Sequence, residues 1–235
     1  MTVLAVDTAT SILSIALSSQ TPSSRGLWYV EMDAGLKHSE SLMEGVDMLL
    51  KTAGLNREDL ELIACMRGPG SFTGLRIGFS VGKGLALALA LPLVSVPTLD
   101  CMAASHSAWP GLVLPVIDAR KGRYFTALFQ GAARISPPLD AEAGKIGELI
   151  ARAPKAGPLL ITGPDAYIIK DELKKVLQPV PHFPERIVVD PRYNTGKGRE
   201  LLEIAEKSFI LERESDVLRG PEYLRKSDAE VTLIL

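Results

Sequence analysis

Residues 73–91 read Thr-Gly-Leu-Arg-Ile-Gly-Phe-Ser-Val-Gly-Lys-Gly-Leu-Ala-Leu-Ala-Leu-Ala-Leu, and no other stretch limits the architecture as much. Length and apolar content predict a helix, yet Gly74, Gly78, Gly82 and Gly84 all lie inside it. Each glycine in a helix costs about 1 kcal/mol relative to alanine, because glycine gives up the most backbone freedom on ordering. Contacts must offset that loss. Gly74, Gly78, Gly82, Ala86 and Ala90 recur at every fourth position, which aligns them on one ridge. A ridge stripped of side chains lets another backbone approach closely and gains dispersion contact along its length. The receiving surface is either the protein's own sheet or neighbouring helix, or a second chain. Docking of a second chain is the expectation carried forward, because Leu42, Val46 and Leu49 on the preceding helix offer an adjoining apolar surface.

Around this helix the hydrophobic period alternates between two and near four. Thr2 to Val6, Ile12 to Ser18 and Trp28 to Met32 read as a strand meander. Ser39 then caps a helix whose stripe is Leu42, Val46, Leu49 and Ala53, with Gly54 as its stop. Glu61 to Met66 and Leu93 to Val96 are strands on either side of the glycine helix. The second half repeats the plan less clearly. Strands are predicted over Leu112 to Ile117, Tyr124 to Gln130, Leu159 to Thr162 and Arg186 to Val189. Helices are predicted near Ile146 to Ala151, over Ala166 to Leu177 and over Lys197 to Leu211. The expected class is α/β, with two related subdomains, 1–103 and 104–235, each a mixed sheet flanked by helices, joined by a Cys101 to Pro110 connection.

Composition narrows the function. A chain of 235 residues, 46% hydrophobic and 23% charged, is an ordinary globular protein rather than a disordered or fibrous one. A formal net charge of −2 makes independent nucleic-acid binding a poor expectation, since that affinity comes from lysines and arginines displacing counterions. Any RNA contact is expected through a partner. The apolar stretch between Lys83 and Asp100 is too short to span a bilayer, and Pro92 and Pro97 interrupt it. With no signal-like start, the expected compartment is the cytoplasm. Cys65 and Cys101 sit in apolar runs and read as buried, reduced thiols.

Residue-level chemistry is sparse. Gly68-Pro69-Gly70-Ser71 opens the glycine helix, and free amides there are a weak candidate for phosphate. The Walker spacing fails, because Thr73-Gly74-Leu75-Arg76 stands where Gly-Lys-Ser/Thr is needed. A tight turn capped by Ser71 or Thr73 is the plainer account. Asp7 and Asp118 end strands in corresponding places of the two halves; such carboxylates hold Mg²⁺ in metal–nucleotide enzymes and are more often turn residues. His38, His106 and His182 have no helical metal spacing. The weak cofactor candidates are thus Asp7, Gly68, Gly70 and Ser71; no catalytic residue, metal ligand or cofactor is expected.

Several segments together resemble one family. Val3 to Thr10, His38-Ser39-Glu40, Arg67 to Gly78 (with Gly-Pro-Gly-Ser-Phe-Thr-Gly-Leu-Arg), Val116 to Arg120 and Pro221-Glu222-Tyr223-Leu224-Arg225 are similar to the TsaB (YeaZ) family. The likeness is strong over residues 1–125 and looser beyond. It implies an actin-like fold (the ASKHA class of sugar kinases and heat-shock 70 proteins). It also implies a non-catalytic partner of TsaD, the homologous subunit that forms threonylcarbamoyladenosine at position 37 of tRNAs reading ANN codons. The family's contact uses the helices equivalent to 39–53 and 73–91. On this chain it would involve Leu42, Val46, Leu49, Gly74, Gly78, Gly82, Ala86 and Ala90. The implied partners are TsaD, the ATPase TsaE in a larger assembly, a second copy when alone, and tRNA only through the complex. The His-x-x-x-His metal pair of the TsaD type is broken here, as His38 is followed four residues on by Leu42. That departure speaks against the old peptidase M22 label. The alternative is an actin-fold ATPase or phosphotransferase using Asp7, Asp118 and the loop at 68–74.

Overall fold

The opening strand β1 (Val3–Asp7) is buried at every residue, which is why it shows no polar alternation. It forms the middle of a sheet completed by β2 (Ile12–Gln20), β3 (Arg25–Asp33), β4 (Leu62–Gly68) and β5 (Leu93–Pro97), in the order β3-β2-β1-β4-β5. β2 and β3 run antiparallel from β1, whereas β4 and β5 run parallel to it. Between β3 and β4 lies α1 (His38–Ala53), ended by Gly54 in the left-handed region at φ 67°. Between β4 and β5 lies α2 (Phe72–Ala88). The computed structural model describes residues 1–22, 24–35, 37–153, 157–178 and 186–225.

The chain then enters α3 (Thr98–Ala104), where only a connection was expected from residue 101. The second sheet comprises β6 (Leu112–Arg120), β7 (Arg123–Thr126), β8 (Phe129–Gln130), β9 (Ala133–Arg134), β10 (Leu139–Ala141), β11 (Leu159–Thr162) and β12 (Ile187–Val189). Its path is β10-β7-β6-β11-β12, with β8 paired to β6 and β9. Helices α4 (Ala143–Arg152) and α5 (Ala166–Val176) pack Ile146, Ile150, Ile169 and Leu173 against Leu112, Leu114, Leu159 and Ile161. The predicted strand over 124–130 is broken, because β7 and β8 pair with different parts of β6. Strand β10, only three residues long, lies in a Pro/Gly-rich stretch and had no periodic signal.

The last helix, α6 (Gly198–Glu212), corrects the expected division at 103/104. The first unit is Met1–Cys101 together with Gly196–Tyr223, and the second is Met102–Thr195 with the chain from Leu224. Leu201, Leu202 and Ala205 of α6 share a core with Val3, Ala5, Leu62 and Ala64, on one face of the first sheet. The opposite face, bearing Leu4, Val6, Leu13 and Ile15, is covered by α1 and α2. Each unit therefore repeats one strand program with helices on its sheet, and the fold is of the α/β class.

The glycine ridge is a second correction. It faces inward. A Cβ on Gly74 would lie 2.0 Å from the Thr8 carbonyl oxygen, and one on Gly78 would lie 2.5 Å from Thr8 Oγ1. One on Gly82 would meet Leu93 Cδ1 at 3.3 Å, and Ala86 is buried in the same core. Ala90 lies beyond the helix, exposed, with φ 53°. Leu42, Val46 and Leu49 are likewise core residues. The ridge lets α2 press on the turn after β1, where the Thr8 hydroxyl donates to the Gly74 carbonyl at 2.7 Å. That close approach offsets the lost helicity, and apart from Ala90 the expected interface residues line the core rather than an open surface.

Candidate functional site: the outer face of α1 and α2

With one side of α2 committed to the sheet, its other side carries what solvent can reach. A groove of about 470 Å³ runs along it, floored and walled by Phe72, Thr73, Arg76, Ile77, Ser80 and Val81, with Ser39 of α1 on the far rim. The spacing is again helical, one step round from the ridge. The helix begins where expected: Ser71 Oγ accepts from the Gly74 amide at 3.2 Å. On α1, Ser39 lies inside the helix rather than at its cap, which is Lys37.

The C-terminal strap reaches two residues of the groove, Phe72 and Arg76, through Tyr223. Beyond α6, the Asp216 amide donates to the Leu93 carbonyl at 2.6 Å, and its carboxylate accepts from the Ser95 amide and hydroxyl at 2.8 and 2.6 Å. The strap thus occupies the free edge of β5. Farther on, the Glu222 amide donates to the Arg67 carbonyl at 2.7 Å, and Tyr223 stacks on Phe72 with ring centroids 4.7 Å apart. Gly68, at φ 116°, has no room for a Cβ, because the Glu222 carbonyl would lie 2.4 Å away.

The weak cofactor candidates have structural partners. Asp7 is buried; its Oδ1 accepts from the Ala9 amide at 3.0 Å and its Oδ2 from the Lys197 amide at 2.9 Å. Burial pushes its carboxyl up to about 6, with the two amides pulling the other way. Gly70 packs on Ala9, whose carbonyl accepts from the Ser71 amide at 2.8 Å. Asp118 closes the same two-residue turn in the second unit, accepting from the Arg120 amide at 2.7 Å. His38 is buried at the start of α1 with Nε2 unpartnered, and burial holds its imidazole below the usual value. Leu42, one turn on, lies fully in the core. His106 faces Asp190 at 3.1 Å, and His182 lies outside the described residues. Among the described residues no cluster of three or more His, Cys, Asp or Glu side chains could hold a metal ion, and no helix is long and apolar enough to cross a membrane. Both cysteines are buried and unpaired, and burial raises the Cys65 thiol to about 12. The interface residues expected from the sequence lie on α1 and α2, as the groove does, but did not include Arg76, Ile77, Ser80 or Val81. Their signal was position: Ile77 and Val81 stand one residue, and Arg76 and Ser80 two residues, from the nearest ridge glycines.

Fold and groove together define an α/β protein of two repeated units with a solvent-facing groove on its α2 helix. A family model described as TsaD, tRNA N6-adenosine threonylcarbamoyltransferase, matches residues 20–181. The tRNA threonylcarbamoyladenosine biosynthesis protein TsaB of Bacillus subtilis is 30% identical over 242 residues, covering 100% of this chain and 98% of its own. The TsaB of Escherichia coli is 38% identical over 134 residues, 55% of each chain. The structure of YeaZ from Pseudomonas aeruginosa superposes with a TM-score of 0.74 at 23% identity, covering 95% of this chain and 99% of that one. The chain belongs to the TsaB family of tRNA threonylcarbamoyladenosine biosynthesis proteins.

Proposed function

We propose that this chain is a non-catalytic subunit that binds and activates the TsaD threonylcarbamoyltransferase, in forming threonylcarbamoyladenosine at position 37 of tRNAs reading ANN codons. The observation that carries this is the groove on α2, where Phe72, Ile77 and Val81 stay partly open to solvent between two helices. Unpartnered apolar surface on a rigid helix pair suits another helix. Leu42 supports the non-catalytic part, since a core leucine fills the position where a second metal-binding histidine would stand. Asp7 supports it too, with both carboxylate oxygens engaged by amides of this chain. TsaE joins the assembly, tRNA is met through the complex, and the same face pairs two copies when TsaD is absent.

Ser80 is exposed on the groove and away from the core, so Ser80→Arg blocks docking without disturbing the fold. The test mixes purified chain with TsaD, TsaE, tRNA and threonylcarbamoyl-adenylate. The expected result is no modification by the chain alone, activity on mixing, and loss of that activity with Ser80→Arg at an unchanged unfolding midpoint. Turnover by the chain alone, or full activation by Ser80→Arg, overturns the proposal.

A further inference from the structure

The groove holds one feature that apolar docking leaves unused. Arg76 is exposed at its edge, yet its side chain is already ordered. The guanidinium lies 3.9 Å from the centroid of the Phe72 ring, and Nε donates to Tyr223 Oη at 3.2 Å. Tyr223 is itself held by the strap, through the Glu222 amide on Arg67 and the Glu222 carboxylate 3.6 Å from Arg67 Nε. With Nε engaged, the two terminal nitrogens point their N–H groups elsewhere, and among the described residues no carboxylate forms an ion pair with them.

We infer that Arg76, preset by Phe72 and Tyr223, is the charged anchor of the docking groove and receives an aspartate or glutamate from an apolar helix of the partner protein. This rests on the docking function proposed above. Arginine's planar fork accepts a carboxylate through two parallel hydrogen bonds, and a fork already stacked and bonded loses less side-chain freedom on binding. The surroundings select a protein ligand over nucleic acid. Ile77 and Val81 line the groove beside Arg76, and among the described residues no second cation lines it, whereas a phosphate backbone is gripped by several. A lone cation beside apolar side chains complements an amphipathic helix with one acidic residue among apolar ones. The strap therefore belongs to the docking surface: Tyr223, 147 residues from Arg76 in sequence, is its positioning residue.

The test measures binding of the full chain to TsaD, at low and at moderate salt, for wild type, Arg76→Gln, Arg76→Lys, Tyr223→Phe and Ser80→Arg. Arg76→Gln is expected to weaken binding roughly tenfold or more and to flatten its salt dependence. Arg76→Lys keeps the charge but not the fork, and falls between. Tyr223→Phe keeps the ring on Phe72 while losing the hydroxyl, and weakens binding about two- to fivefold with salt dependence retained, as expected for an exposed hydrogen bond. Unchanged unfolding midpoints show that these variants remain folded. If Arg76→Gln and Tyr223→Phe bind like wild type while Ser80→Arg fails, the anchor is wrong and the docking function stands. If Ser80→Arg also binds, both fall. If Arg76→Gln spares TsaD binding but weakens tRNA binding by the complex, Arg76 is a nucleic-acid contact and the inference is overturned.

Discussion

The two sheets share one order, β3-β2-β1-β4-β5 and β10-β7-β6-β11-β12, and their central strands carry aspartates closing the same kind of turn. Asp7 is 2% exposed, with its second oxygen on the amide of Lys197. The side chain of Asp118 is 38% exposed, and among the described residues its second oxygen has only the Arg120 guanidinium at 3.7 Å. The difference arises because α6 returns to the first sheet and docks its N-terminus over β1, with Ser14 Oγ accepting from Gly198. One turn, repeated in two units, becomes a buried clasp in the first and a partly solvated loop in the second. The helices differ in the same way. In the first unit α2 meets a backbone, that of Thr8, whereas Gly147 of α4 meets the side chain of Val176 on α5.

The largest expected effect breaks or confirms that second contrast. Gly74→Ala drives its methyl into the Thr8 carbonyl and is expected to lose about 3 kcal/mol or more, measured by urea unfolding. Gly147→Ala meets side chains rather than backbone, Val176 first and Leu177 Cδ2 at 3.8 Å, so a small shift of the exposed end of α5 relieves it. It is expected to lose about 1–2 kcal/mol, less than Gly74→Ala. Equal losses would mean that backbone and side-chain contacts are not distinguished as described.

The aspartates sharpen the first contrast. Because Asp7 titrates at about 6 when folded and at 3.8 ordinarily, the native state holds its proton more tightly than the unfolded chain does. Its burial therefore costs stability above about pH 6, and that cost fades as pH falls toward the ordinary carboxylate range. The shift amounts to ~3 kcal/mol at most. Comparing urea midpoints at about pH 5 and about pH 7.5, Asp7→Asn is expected to remove this part of the pH slope and Asp118→Asn to keep it. The smallest effect is at Gly84, where nothing lies within 4 Å of an added Cβ. Gly84→Ala should gain about 0.5–1 kcal/mol, through helix propensity alone, and leave docking unchanged. A loss there would show that the outer side of α2 is less open than described.

Much of this was legible in the residues. The apolar run of β1 up to Asp7, the stop at Gly54 and the cap at Ser71 are local matters, settled by side-chain period and backbone preference. The groove was half legible, in that it lies on α1 and α2, the helices singled out, whereas all but one of the residues named on them face inward. Periodicity shows that Gly74, Gly78 and Gly82 share a side of α2 without saying what lies against that side. The short β10 and the helix α3 were missed because neither is long enough to show a period.

What the sequence determined by itself was the repeated α/β plan, the family likeness and a helix that something must approach closely. Only the tertiary structure decided that the approaching group is the Thr8 turn, that α6 belongs with the first sheet, and that Tyr223 reaches Arg76. The physical reason is range. Caps, turns and amphipathic stripes join residues a few positions apart, whereas Asp7 meets Lys197 across 190 residues and Arg76 meets Tyr223 across 147. Contacts of that separation leave no period in the chain and exist only once the C-terminal segment has returned to the first sheet.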